Sequence, residues 1–547
     1  MDHQLEIKTL SMMAKVFPEF INGDAEQSSI AAAGQEVSFQ VAFRTFFPRH
    51  NRKDYRLTVD TPDGLTPQIY SVGLVPSELP AYPAHYDDYY ITTSAGLFPD
   101  PLYPLDEPVV SVAPRQWRAV WISIRLPDGF AAGVYPVTVS LSDGDETVAT
   151  VTYTVRVLPV TLPAQKLIAT QWFHCDCIAD VHGVPVFSEE HWSLIGSYMR
   201  LAAEHGLNMI LTPVVTPPLD TEVGSERPTV QLVDVIREGG VYRFGFDRLE
   251  RYVRLALSCG FHEFEISHFF TQWGATATPK VMATVDGEEK RIFGWDVPAN
   301  DPSYAEFLGA LIPQLIGAFA KLGVGREKLW FHISDEPNEA HLENYGNAKR
   351  ILAPLVEGCH RIDALSHFAF YNQGHVETPV VATGSLTPFI EAKVPNLWCY
   401  YCCGQVVKLS NRMLAMPSAR TRILGVQMYR YGITGFLQWG YNFYYSELSR
   451  RLIDPYRVTD ADGSFPSGDS FSVYPYRDGA IPSLRLKVFA RALEDIRLLE
   501  ALEARVGREK TEELIDSVAG MKMTFTEYPR GEAFFRALYA VLAEFFR

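Results

Sequence analysis

The apolar residues of this 547-residue chain change their period once, near Lys166, and that change restricts the fold more than any other feature. Before it, alternation of period two prevails. Val37, Phe39, Val41 and Phe43 share one side of an extended segment, and Val120, Ile122 and Ile124 share one side of another. Val137, Val139 and Leu141 lead through Asp143-Gly144-Asp145-Glu146 into Val151, Tyr153, Val155 and Val157. Side chains alternate across a strand, so the pattern buries one face and wets the other. Such segments, separated by Gly, Asp and Pro turns, predict an N-terminal antiparallel β-sandwich. Leu158-Pro159-Val160-Thr161-Leu162-Pro163 reads as its exit linker, which divides the chain into domains at 1–163 and 164–547.

Beyond Lys166, short apolar strands alternate with amphipathic helices. Strands are expected at 167–173, 208–215, 262–268, 328–334, 361–367, 396–402 and 434–439, with a last one near Phe471–Tyr474. Helices at 189–205, 247–259, 304–322, 341–356 and 419–431 fall between them, the second with Leu249, Tyr252, Val253 and Leu257 on its apolar side. This order predicts an α/β fold, a (β/α)8 TIM-type barrel with βα-loop insertions at about 217–242 and 275–300. C-terminal helices at 485–502 and 531–546 close the barrel or pack beneath it. A doubly wound open sheet is the alternative, and no glycine-rich phosphate loop follows any strand to favour it.

Composition excludes several classes of function. The 49 Lys+Arg against 65 Asp+Glu leave a formal charge of −16, with no basic excess to displace counterions from nucleic acid. The 47% hydrophobic content predicts real cores. No run approaches the roughly 18–20 apolar residues of a membrane span, so none is expected. Met1-Asp2-His3-Gln4-Leu5-Glu6 has acids where a leader needs bases, which predicts a cytoplasmic protein. Seven cysteines, none before Cys175, argue against a disulfide framework. His174, Cys175, Asp176 and Cys177, like Cys402-Cys403, lack paired CxxC spacing, so no metal and no organic cofactor is expected. The oligomeric state leaves no signal in the sequence.

The sharpest chemical feature is Trp330-Phe331-His332-Ile333-Ser334-Asp335-Glu336-Pro337, an apolar strand running into two carboxylates and a proline. In a barrel the pair ends the fourth strand, on the face where such enzymes carry their chemistry. Pro337 biases Glu336 towards an extended backbone. The competing reading is an acidic cap for the next helix. Consecutive strand side chains diverge, which ill suits a nucleophile and an acid spanning one bond about 5–5.5 Å apart. It suits substrate-assisted cleavage of a 2-acetamido sugar, in which the acetamido oxygen attacks and one acid serves the leaving group. Other strand ends carry Trp172, Phe173, His174 and Asp176; His268, Gln272 and Trp273; Trp398, Tyr400 and Tyr401; and Trp439, Tyr441 and Asn442. A mouth of aromatic and neutral polar groups with few cations suits a neutral sugar.

Three stretches resemble glycoside hydrolase family 123 and the wider domain-of-unknown-function family 4091. They are Asp335-Glu336-Pro337, Gly435-Phe436-Leu437-Gln438-Trp439-Gly440-Tyr441-Asn442-Phe443, and Tyr474-Pro475 with Ile481-Pro482-Ser483-Leu484-Arg485. The resemblance implies an exo-acting, retaining β-N-acetylgalactosaminidase working through an oxazoline-like intermediate on a glycan or glycoconjugate with a terminal amino sugar. It implies that Asp335 orients the acetamido group and Glu336 is acid, then base. Like-charge repulsion from Asp335 is expected to raise the Glu336 pKa. Tyr400 or Tyr401 is expected to donate to the acetamido oxygen, and Trp439 or Trp273 to stack on the ring. His174 and Asn442 are candidates for binding hydroxyls, with His268 and Trp398 as further lining. A glycosidase for another sugar such as β-N-acetylglucosamine and an inactive carbohydrate-binding barrel are the alternatives.

Overall fold

A computed structural model describes residues 5–46, 52–337 and 339–547. Met1–Gln4, part of the stretch read for a leader, lie outside the described residues.

Two five-stranded sheets form the N-terminal part. One orders Leu5–Ser11, Glu36–Thr45, Arg118–Arg125, Pro67–Ser77 and Gly96–Pro104; the other orders Ser28–Ala33, Glu146–Thr161, Gly133–Asp143, Lys53–Asp60 and Val109–Val112. Val37, Phe39 and Val41 meet Tyr153 and Val155 between the sheets, with Phe39 stacked on Tyr153 at 4.1 Å. Two expectations change here. The stretch read as a linker stays in the sheet, because Glu146–Thr161 runs on past Pro159 and pairs in parallel with Ser28–Ala33. The one-face-wet pattern also fails for the central strands, where Ser38, Gln40, Ala42, Trp121 and Ser123 are buried too. Their outer face lies against the C-terminal helix Leu484–Val506 and the barrel, and Ala42 and Trp121 share one core cluster with Leu493 and Ile210.

Several buried ties cross this junction. Asp100, on a sandwich strand, accepts from Arg485 Nε at 2.9 Å, Arg485 Nη2 at 2.8 Å and the Tyr474 hydroxyl at 2.6 Å. Lys15 donates to the carbonyls of Leu414 and Met416. The sandwich loop after Ser77 reaches the barrel loops, where Asp87 pairs with Arg420 and the Tyr82 hydroxyl donates to Ser464. Asp100→Ala strands the Arg485 charge in the interior, and loss of one partner of a buried pair costs about 3–5 kcal/mol. Urea unfolding followed by circular dichroism should show that loss; a change under about 1 kcal/mol would remove the pair from the account of stability.

From Ile168 the eight strands of a parallel barrel follow in chain order: Ile168–Gln171, Met209–Thr212, Glu263–Ile266, Leu329–Phe331, His360–Leu365, Thr378–Ala382, Trp398–Tyr400 and Gly435–Gln438. Strand eight pairs with strand one, and Asn208 bridges the gap between strands one and two, its Oδ1 accepting from Ala169 and its Nδ2 donating to Leu167. The sequence count missed strand six, Thr378–Ala382, and placed the eighth near 471–474. That segment belongs to an antiparallel hairpin, Val473–Tyr476 with Gly479–Pro482. Leu257, expected on an apolar face, is exposed at the rim of helix Asp247–Cys259. The two insertions join each other, contributing Asp234–Glu238 with Val241–Gly245 and Val281–Val285 with Glu288–Phe293 to one four-stranded sheet.

The helix after strand three, Pro302–Lys321, starts on an Asp301 cap with proline in its first turn. Its length and mean hydropathy of 1.2 would allow a membrane span, yet Phe307, Leu308, Leu311, Leu315 and Phe319 are buried within the protein. It is a barrel helix by packing.

Candidate active site

Parity along the barrel strands decides which side chains meet at the mouth. On strand seven Trp398 and Tyr400 point inward, with Cys402 beyond them, while Cys399 and Tyr401 face the surrounding helices. Trp398 fills the barrel interior against Trp330 at 4.9 Å, and a Cβ on Gly435 would lie 2.0 Å from its ring. That glycine leaves the room the indole occupies. Above this floor lies a cavity of about 170 Å³ at the C-terminal ends of the strands. A larger one, about 380 Å³, lies by the opposite strand ends near Asn208 and His262, among ion pairs such as Lys487–Glu36 and Arg491–Glu494. Barrel enzymes carry their chemistry at the C-terminal face, which favours the smaller cavity.

Asp335, Glu336, His174, Trp273, Tyr400 and Trp439 all line that cavity. Four other expected residues do not. His268 is buried beneath it, stacked on His332 at 4.1 Å. Trp398 is barrel floor, and Tyr401 packs on Phe436 among the helices. Asn442 is spent on the backbone of His174, accepting from its N–H at 2.9 Å and donating to its carbonyl at 3.0 Å.

The acid pair sits beyond strand four, in a turn. Glu336 has φ +44°, so Pro337 does keep it out of the right-handed helix, but the backbone is left-handed rather than extended. The expected splay of strand neighbours therefore does not apply, and both carboxylates reach one cavity. Two contacts hold the turn. Buried Asp363 of strand five accepts from the N–H groups of Ile333 and Ser334 at 2.9 and 3.0 Å, and from the Tyr345 hydroxyl at 2.7 Å. The Asp335 carbonyl accepts from Trp273 N–H at 3.2 Å. Trp273 also has a left-handed backbone, φ +54°, and is 44% exposed at the rim.

Burial first, then the charges of Glu336, Asp363, Asp220 and Glu265, push the Asp335 carboxyl well above its usual range. That rise falls on the partly buried member of the pair, with the Glu336 charge among its causes. Glu336 is exposed, and its Oε1 accepts from the Tyr400 hydroxyl at 2.5 Å.

The remaining wall is largely committed to the protein. Arg227, buried, grips Asp176 through Nε and Nη2 and donates from Nη2 to His174 Nδ1 at 3.2 Å. An arginine only donates, so Nδ1 accepts and Nε2 carries the proton towards the Trp439 carbonyl, 3.0 Å away. Burial and Arg227 push His174 down to about 3, so it stays neutral. Trp172 and Trp439 donate their indole N–H to Glu265 and Asp469. No Lys or Arg is among the described residues lining the cavity. The reading from sequence did not single out Leu219, Asp220, Phe443 or Phe465 in this wall; Asp220 lies in an aperiodic insertion with no pattern to mark it.

The sequence model of the family described as "Glycoside hydrolase 123, catalytic domain" matches residues 172–502. The fold resembles that of a family 123 glycoside hydrolase from Clostridium perfringens, studied for glycolipid glycan hydrolysis, with TM-score 0.72 at 13% identity over 99% of this chain and 97% of that one. A Bacteroides ovatus GH5 xyloglucanase aligns over 85% of this chain and 98% of that one, at 10% identity and TM-score 0.30. A Ruminococcus gnavus β-glucuronidase aligns over 83% of this chain and 66% of that one, at 10% identity and TM-score 0.32. No curated protein matches the chain.

Proposed function

The chain belongs to glycoside hydrolase family 123 and is a glycoside hydrolase, and from that premise we propose that it removes terminal β-linked N-acetylgalactosamine by substrate-assisted catalysis. The observation that carries the reading is the adjacency of Asp335 and Glu336 in one small cavity whose lining holds no cation among the described residues. A cavity of about 170 Å³ holds on the order of ten waters, which suits one ring with its substituents. By likeness to the Clostridium enzyme, the glycan of a glycolipid is the class of substrate we favour.

In the first step the acetamido carbonyl oxygen attacks the anomeric carbon. The glycosidic C–O bond breaks, and Glu336 gives its proton to the departing oxygen. The Tyr400 hydrogen bond on Oε1 stabilises the carboxylate that this transfer leaves and keeps Oε2 for the leaving group. The positive charge that develops on the oxazolinium pulls the raised Asp335 pKa back down, so Asp335 accepts the acetamido N–H as a carboxylate and faces that charge where an anion is worth most. In the second step Glu336 takes a proton from water, whose oxygen attacks the anomeric carbon and reopens the ring with net retention. Five-membered closure makes the nucleophile intramolecular, so no carboxylate needs to attack.

Matched aryl β-glycosides test this. A 2-acetamido galactoside should turn over at least about 10²-fold faster than its 2-hydroxy counterpart, the order expected when a positioned nucleophile is removed. Equal rates would refute the assisted mechanism. Running the 2-acetamido glucoside alongside tests the galacto assignment, which faster turnover of the gluco epimer would overturn.

A further inference from the structure

We propose that Asp220 is a specificity-determining residue whose free carboxylate oxygen takes one hydroxyl of the bound sugar ring. The proposal rests on the reading just given, which uses Asp335 and Glu336 for the acetamido group and the glycosidic oxygen.

Asp220 lines the same cavity as the acid pair, on the insertion that follows strand two. The insertion is clamped to the loop after strand eight. Leu448 N–H donates to Asp220 Oδ2 at 3.1 Å, and Ser449 Oγ donates to the Asp220 carbonyl at 2.6 Å. Glu222 N–H donates to the Leu448 carbonyl at 3.0 Å, and Arg450 pairs with Glu222 at 3.1 Å. On the other side, Arg227 Nη1 holds the Leu219 carbonyl at 3.0 Å and Gln272 Nε2 holds that of Thr221, also at 3.0 Å. Every residue from 219 to 222 is thus tied down around one carboxylate.

Asp220, Leu448 and Ser449 have φ of +39°, +56° and +54°, three non-glycine residues in the left-handed region at one point of contact. Such backbones are unfavourable for side-chain-bearing residues and persist where the surroundings over-determine them.

Several polar groups of the wall are already engaged by the protein. His174 uses both ring nitrogens on the protein, and the indole N–H groups of Trp172 and Trp439 are taken. Arg227 lies behind His174 and is fully engaged by Asp176, His174 and Leu219. It lends Asp220 positive potential without covering it. Burial still outweighs Arg227, holding the Asp220 carboxyl up at about 6, with Glu447 and Asp469 adding to the rise. Asp220 Oδ1 has no partner among the described residues. Beyond the acid pair, it is the charged acceptor left in the cavity for a ring O–H, and a hydroxyl donating to a carboxylate makes one of the stronger neutral-to-charged hydrogen bonds.

The experiment is a cycle between protein and substrate. Wild type, Asp220→Asn and Asp220→Ala are assayed on an aryl 2-acetamido β-glycoside and on its 3-, 4- and 6-deoxy derivatives. Wild type should lose about 10–100-fold in kcat/KM on one derivative, the scale of a hydrogen bond to a charged group. Asp220→Ala should lose a similar factor on the parent and under about threefold on that same derivative, because the contact is already absent. Equal losses for the variant on parent and all three derivatives would overturn the proposal and reduce Asp220 to a loop-shaping role. So would a wild type indifferent to every deoxy position, a result that needs no variant to fold. Neither outcome touches the comparison of 2-acetamido with 2-hydroxy substrates. If that comparison fails, the assisted mechanism falls, and the same cycle on the hexoside that is cleaved still decides the role of Asp220.

Discussion

Glu336→Gln lowers kcat/KM on an alkyl or sugar leaving group by about 10²–10⁴-fold, the range that a positioned general acid supplies. The substitution is nearly isosteric and the side chain is exposed, so the thermal midpoint should stay with wild type. Gln still accepts from Tyr400, which keeps the turn in place while removing the proton that the leaving oxygen needs. A dinitrophenyl leaving group departs without protonation, so its first step should be far less affected. Initial rates on the two substrates, with product anomers followed by NMR, separate the roles. Equal losses on both would show that Glu336 is not the acid.

Asp335→Asn should lose about 10²-fold or more in kcat while folding more stably than wild type at neutral pH. The activity loss follows from removing the anion beside the developing positive charge. The stability gain follows from linkage. The folded-state pKa of Asp335 is raised above the unfolded value of about 3.9, so its contribution to stability is full below that value. That contribution is lost as pH rises through the folded value. Asn carries no such loss. The gap in thermal midpoint between variant and wild type should therefore widen from acidic to neutral pH. A gap that narrows as pH rises, or a variant less stable throughout, would contradict the charge environment described for Asp335.

The sequence announced the features that periodicity and local chemistry encode. Val37 to Phe43 and Val137 to Val157 alternate strongly enough to mark a sandwich, and Trp330 to Glu336 marks a strand end with its acids. Strand six escaped because Thr378-Pro379-Val380-Val381-Ala382 is short, carries a proline and is flanked by helices of only five residues, Phe368–Asn372 and Thr387–Glu391. Five residues are too few to display a 3.6-residue period. Phe471–Tyr474 looked like the missing strand because it is aromatic and extended, and only the hairpin with Gly479–Pro482 reveals its antiparallel partner. Within the site, Tyr400 and Tyr401 were indistinguishable until the parity of strand seven was known. The left-handed turn at Glu336 and the clamp around Asp220 depend on contacts between loops far apart in the chain, which no local pattern carries.

The reach of the sandwich loop has a consequence for how such an enzyme changes over generations. Tyr82, on that loop, lies against the Cys403 thiol, and Cys403 with Cys402 lines the cavity. Asp87, five residues on, anchors the loop to Arg420, which also holds the Val406 and Leu409 carbonyls after strand seven. Inherited variation in this stretch of the sandwich is therefore felt in the shape of the cleft, although no barrel residue has altered. A barrel produced without its sandwich would lack the tyrosine that backs the Cys403 side of the cleft.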